Sequence, residues 1–136
     1  MDRIDKILNH DLFLYHLGKN NAAEADRRFC RHSMVHFLDV ARIGTIIALE
    51  EGLELDREWI YAAALLHDCG KHEQYENGTP HEQASARIAP EILKDCGFDD
   101  KETDVIVTAI SRHRDPEAAK EKNLNGVLYR ADKASR

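Results

Sequence analysis

Cysteine is scarce: three in 136 residues, Cys30, Cys69 and Cys96, with no Cys-x-x-Cys pair. That odd count and spacing speak against a disulfide framework and a zinc–thiolate site, and fit a reduced, cytoplasmic setting. Proline is equally sparse, at three residues, and no Pro-, Gly- or Ser-rich linker, internal repeat or low-complexity tract interrupts the chain. One domain over residues 1–136 is therefore expected. No apolar run approaches the roughly 20 residues of a spanning helix, and the opening MDRIDKILNHD lacks the apolar core of a signal peptide. Positive charge is in deficit, the net charge being -6. This argues against a nucleic-acid polymer or an anionic membrane as the main partner. A small phosphorylated molecule needs only local positive charge and stays open.

Alternation with period two is also missing, so no sheet is expected. The apolar periodicity is helical throughout, and the fold class is all-α, a bundle of about six or seven helices. A first helix is predicted over 2–17, from Ile4, Ile7, Leu8 and Leu12, and a short segment near 21–29. A long helix over 32–51 follows, ended by Gly52. Asp56 can cap a helix through Trp59, Ile60, Ala64 and Leu66, apolar almost all round and hence buried. Residues 73–79 read as a polar loop and a candidate lid. Thr79-Pro80-His81-Glu82 resembles an N-cap, first-turn proline and capping-box glutamate for a helix over 80–95. Helices near 101–113 and 116–121, and a last one from Asn123–Gly126 onward, complete the pattern.

What the chain has in excess is histidine: eight residues. About one His-Asp dipeptide is expected by chance in such a composition, so the motif alone says little. Context separates the two that occur. His10-Asp11 lies in a polar stretch and reads as solvated, as do His16 and His72. His67-Asp68 ends the apolar run Trp59–Leu66. A carboxylate at the inner end of a buried helix needs a cation beside it.

The other candidates fall on apolar stripes. His36 is followed by Val40, Ile43 and Ile47; His81 by Ala84, Ile88 and Ile92. His113 is preceded by Ile106, Ala109 and Ile110; Asp132 by Leu124 and Leu128. One inward histidine is ordinarily a satisfied core residue. Four histidines and two aspartates on five helices, all inward, are explained more simply by a shared metal centre. Imidazole and carboxylate ligands suit Fe, Mn, Zn, Co or Ni, as one ion or two, without choosing among them.

Leu65-Leu66-His67-Asp68-Cys69-Gly70-Lys71 resembles the signature of the HD superfamily of metal-dependent phosphohydrolases. His36 with Val40 and Ala41, and Tyr129-Arg130-Ala131-Asp132-Lys133, resemble its flanking motifs, so the likeness spans about residues 30–135. His32, one turn before His36, is the competing candidate; Val40 and Ala41 favour His36. The resemblance implies first-metal ligands at His36, His67, Asp68 and Asp132. His81 and His113 resemble the extra ligands of a binuclear subset, in which Asp68 would bridge; bacterial diadenosine tetraphosphate hydrolases have similar layouts.

The expected function is hydrolysis of a nucleotide or other phosphate ester by a metal-activated water. Asp68 and Lys71 are the expected catalytic residues. Lys71, Arg112 and Arg114 are candidate phosphate contacts, against a reading as solvated surface charge. The rivals are a di-iron oxygenase of the same type and a non-catalytic, metal-stabilised nucleotide-binding module. The exposed side of the first helix offers a surface on which a homodimer could form, though its pattern demands none.

Overall fold

The computed structural model describes residues 1–25 and 33–135. Among these, eight α-helices and one 3-10 turn occur, and no strand. The helices are α1 (Asp2–Leu8), α2 (Asp11–Ala23), α3 (Met34–Glu50), α4 (Arg57–Leu66), α5 (Lys71–Asn77), α6 (His81–Asp95), α7 (Asp100–Ser111) and α8 (Leu124–Ala134), with the 3-10 turn at Pro116–Lys120 between α7 and α8. The chain is all-α, as its periodicity indicated. Cys30, His32 and much of the segment near 21–29 lie outside the described residues. No helix among those described is long and apolar enough to cross a membrane.

Helix α4 is the axis of the bundle. It packs against α1, α3, α6, α7 and α8. Its residues Ile60, Ala62, Ala63, Ala64, Leu65 and Leu66 are all buried. The three consecutive alanines let neighbouring helices approach from several sides, while Leu65 and Leu66 fill the space between them. Asp56 caps it as expected, accepting from Glu58 N–H at 2.8 Å. Gly52 and Gly97, both at positive φ, close α3 and α6.

Three local expectations are corrected. The first helix is two, broken at Asn9–His10, because the His10 side chain caps α2 by accepting from Leu12 N–H at 3.1 Å. Residues 71–77 form α5 rather than a polar loop, and Gly78 ends it at φ 81°. Pro80, not Thr79, is the N-cap of α6, and Thr79 turns its hydroxyl to Asn77 Oδ1 at 2.6 Å.

Arg3 fastens α1 to the bundle. Its guanidinium reaches Glu58 at 2.8 Å and both oxygens of Glu102 at 2.9 Å, and stacks 4.1 Å above the Phe98 ring. The indole N–H of Trp59 donates to Glu102 at 2.7 Å. Burial works against ionisation of both carboxyls, but these bonds prevail and hold Glu58 and Glu102 below the ordinary value of 4.5. A lowered folded pKa means stability present above the unfolded pKa and lost as pH falls through the folded one. Arg3→Met is therefore expected to cost about 1–2 kcal/mol near neutral pH. It should also flatten the loss of stability below about pH 4.5, as read from urea midpoints across pH.

Gly126 sits where α8 begins against the end of the 3-10 turn. A Cβ there would lie 1.8 Å from the Glu121 carbonyl oxygen. Gly126→Ala should destabilise by about 3 kcal/mol or more. Gly18, in α2, has nothing within 4 Å of its added Cβ; its alanine variant should gain about 0.5–1 kcal/mol. Denaturation midpoints moving together in the two variants would contradict this seating of α8.

Candidate metal centre

Five elements converge on one buried cluster. His36 comes from the first turn of α3, His67 and Asp68 from the end of α4, His81 from the start of α6. His113 follows α7, and Asp132 lies in the last turns of α8. His67, Asp68, His81, His113 and Asp132 are buried, and the His36 side chain keeps 13% exposure. The inward stripes read from the sequence are present: Ala84, Ile88, Ile92, Ile106, Ala109, Ile110, Leu124 and Leu128 are all buried.

The six side chains form two groups joined at Asp68. Donor atoms of His36, His67, Asp68 and Asp132 lie within 4.8 Å of one another, as do those of Asp68, His81 and His113. Asp68 Oδ2 faces the first group, 3.2 Å from His67 Nε2 and 3.7 Å from His36 Nε2. Asp68 Oδ1 faces the second, 3.3 Å from both His81 Nε2 and His113 Nε2. Asp132 Oδ1 lies 3.1 Å from His36 Nε2 and 3.4 Å from His67 Nε2.

Every imidazole presents Nε2 inward because its Nδ1 is engaged elsewhere. His67 Nδ1–H donates to Ala64 O at 2.6 Å, and His113 Nδ1–H to Ile110 O at 2.7 Å. His81 Nδ1 meets Gln74 Oε1 at 2.7 Å, and His36 Nδ1 meets Ser135 Oγ at 2.9 Å. Outer partners of this kind fix the tautomer and ring plane of metal-ligating histidines.

The electrostatics favour positive charge at this point. Burial alone would raise both carboxyls and lower His67. Against it, the facing imidazoles hold Asp68 and Asp132 well below the usual carboxylate range. The two carboxylates in turn raise His67 to about 10. His81 goes the other way: burial, aided by His113 and then by Lys71 and Arg114, prevails over Asp68 and takes it down to about 3, so it presents a neutral imidazole. His67 Nε2 is buried, and its approaches to both carboxylates lack hydrogen-bond geometry. Inward Nε2 atoms around two ionised, buried carboxylates fit a divalent transition metal in chemistry and in direction.

The comparisons with known proteins agree with this geometry. The family described as HD domain matches residues 34–136. The chain belongs to the HD domain family. An uncharacterized protein of Clostridium beijerinckii is 48% identical over 136 residues, the whole of this chain and 85% of that protein. The crystal structure of a predicted HD superfamily hydrolase from an uncultured Thermotogales bacterium is similar, with a TM-score of 0.67 and 27% identity. That match covers 88% of this chain and 66% of the other.

Around the HD cluster, the remaining candidates divide. Lys71 is half-buried, its Nζ 3.4 Å from His81 Nδ1 and 5.7 Å from the Tyr75 ring centroid. Arg114 is exposed beside His113. Arg112, expected as a phosphate clamp, is instead committed to a structural pair. It reaches Asp115 at 3.1 Å and Glu121 at 2.5 Å, bracing the turn after α7. His16 and His72, expected at the surface, are buried and stacked, with His16 Nδ1 2.8 Å from His72 Nε2. His10 is half-buried and holds Asp95 at 2.8 Å. Cys69, inside the signature, is a buried thiol that burial pushes up to about 12.

Three residues that the sequence did not single out support the cluster: Gln74, Ser135 and Asn20. Gln74 also accepts from His81 N–H at 3.1 Å, while remaining exposed. Gln74→Leu should therefore leave stability within about 0.5 kcal/mol. Metal affinity should fall about 10–100-fold, as titrated calorimetrically with Mn or Co. Unchanged affinity would mean that Gln74 does not orient His81.

Proposed function

We propose that this chain is a metal-dependent phosphohydrolase acting on a small phosphate ester or anhydride, with a nucleotide as the expected class. The observation that carries the reading is the division of Asp68: one carboxylate oxygen faces each histidine group. A carboxylate so placed suits two ions side by side, held by His36, His67, Asp68 and Asp132 on one side and by Asp68, His81 and His113 on the other. Such ions, when bound, act as Lewis acids that lower the pKa of a water and offset charge developing on phosphoryl oxygens.

The chain's own residues then have distinct tasks. Asp68 and Asp132 supply the negative charge that retains the ions. The four imidazoles fix their positions through Nε2. Lys71 and Arg114 stand on the His81 side, close enough for both to depress its pKa. They are the cations that would receive a phosphate. His36 and His81 keep some exposure whereas His67 and His113 have essentially none, so substrate reaches the cluster past the first pair. The matched family and the predicted hydrolase of similar structure support the same reading.

The test combines composition with turnover. Mass spectrometry of the purified protein reloaded with Mn or Fe should give about two ions per chain, lost in Asp68→Ala. The reloaded wild type should then release phosphate from a panel of nucleotides without consuming oxygen. Lys71→Ala should lower kcat/KM about 10–100-fold with metal content unchanged. Oxygen uptake in place of phosphate release would instead support a di-iron oxygenase. Metal retained without turnover on any substrate would leave a nucleotide-binding module.

A further inference from the structure

Helix α3 buries one face against α4 and α8 and leaves another in solvent. Its exposed face carries an apolar stripe. Val35 is 70% exposed, Ile46 53% and Leu49 76%. Between Val35 and Ile46 lie two charges, Asp39 and Arg42, whose side chains are 46% and 62% exposed. The positions 35, 39, 42, 46 and 49 follow steps of four and three, so they lie along one face of the helix. Large apolar residues in such a row are not the random scatter of an ordinary surface.

The order of the residues has a symmetry of its own. Asp39 and Arg42 are equidistant from the midpoint between residues 40 and 41. So are Val35 and Ile46, and so are the partly buried Leu38 and Ile43 that border the stripe. Two copies of α3 packed antiparallel about a two-fold axis at that midpoint would set residues equidistant from it opposite one another. Each Asp39 would then face an Arg42, and each Val35 an Ile46. Acid meets base twice, and apolar meets apolar twice. Within one chain Asp39 and Arg42 make only a loose pair at 3.7 Å, so both remain able to reach across.

We infer that this face of α3 is a homodimer interface, built by antiparallel packing of α3 on α3 about residues 40 and 41. A second copy of the chain fits better than a lipid surface, which would strand Asp39 amid the apolar stripe. It also fits better than an arbitrary helix, which would lack the reversed acid–base order. Among the described residues, the other exposed apolar side chains of the N-terminal half are Met1, which precedes α1, and Leu14 and Tyr15 on α2, which are adjacent in sequence. Leu14 and Tyr15 point about 100° apart and form no stripe. A helix pair of this length lies at the small end of protein interfaces, so the dimer should dissociate on dilution.

The inference is tested by sedimentation velocity of the intact chain from about 1 μM to 500 μM, a range chosen for a weak interface. The wild type should shift from monomer to dimer with concentration. Asp39→Arg and Arg42→Asp, each alone, set like charges opposite one another and should raise the dissociation constant at least about tenfold. The double variant D39R/R42D reverses both signs and should restore dimerisation. Ile46→Asp should abolish it. The three positions changed lie on the exposed face, so thermal melts and metal content of every variant should match the wild type, separating loss of association from loss of folding. A wild type monomeric throughout would overturn the inference. So would a dimer that both single reversals leave intact, or a double variant that fails to recover.

Discussion

Two ionised carboxylates in the middle of a helical bundle are the constraint around which this molecule is arranged. Asp68 and Asp132 are each 1% exposed. A buried, unpaired carboxylate costs several kcal/mol, more than a small domain can spare. The bundle gathers four imidazoles round the two carboxylates, from α3, α4, α6 and the segment after α7, so that Nε2 atoms and carboxylate oxygens together form a set that a bound cation would satisfy. Those contacts require five elements to end or begin at one place. This explains why a buried polar cluster sits at the end of a helix whose residues Ala62 to Leu66 are all buried.

The histidines occupy positions where the backbone can orient them. His67 and His113 each follow a helix C-terminus by a residue or two, and each binds the carbonyl three residues earlier. Carbonyls there have lost their intrahelical donors. These end-of-helix acceptors, which lack their usual donor four residues on, become the groups that fix Nδ1–H and aim Nε2 inward. His81 and His36 lie in the first turns of their helices, where a preceding carbonyl of that kind does not exist. Their Nδ1 atoms are held by side chains instead, Gln74 and Ser135. Position along the helix thus decides whether the outer partner is backbone or side chain.

That division also explains what could be read from the sequence. The all-α class and the convergence of His36, His67, Asp68, His81, His113 and Asp132 were legible because each residue lies on an apolar stripe, and a stripe shows which way a side chain points. Gln74 was not legible: α5 is a seven-residue helix burying only His72, so it has no stripe and reads as a polar loop. His16 and His72 looked solvated for the same reason, since their partner is each other, 56 positions apart. Arg112 read as a free cation because its acceptor Glu121 comes from the next turn of chain, and composition cannot register a side chain already spent.

The N-terminal helices lie outside the matched region, residues 34–136, yet α2 supports the site. Asn20, in α2, is fully buried. Its Nδ2 donates to the Asp68 carbonyl at 3.0 Å, and its Oδ1 accepts from the His72 N–H at 2.8 Å. One side chain therefore spans the turn that carries the His-Asp pair into α5. On the opposite side of that turn, a Cβ at Gly70 would lie 2.7 Å from Ala84 Cβ. The Gly70 N–H donates to Ser85 Oγ at 2.9 Å, which brings the start of α6 and His81 into range. The turn is clamped between α2 and α6, and its freedom to move is removed from both sides. Rigidity at Asp68 matters because its two oxygens must face two groups at once; a backbone free to rotate there would satisfy one group at the expense of the other. The α2 contact is thus part of what allows a single carboxylate to serve both halves of the cluster.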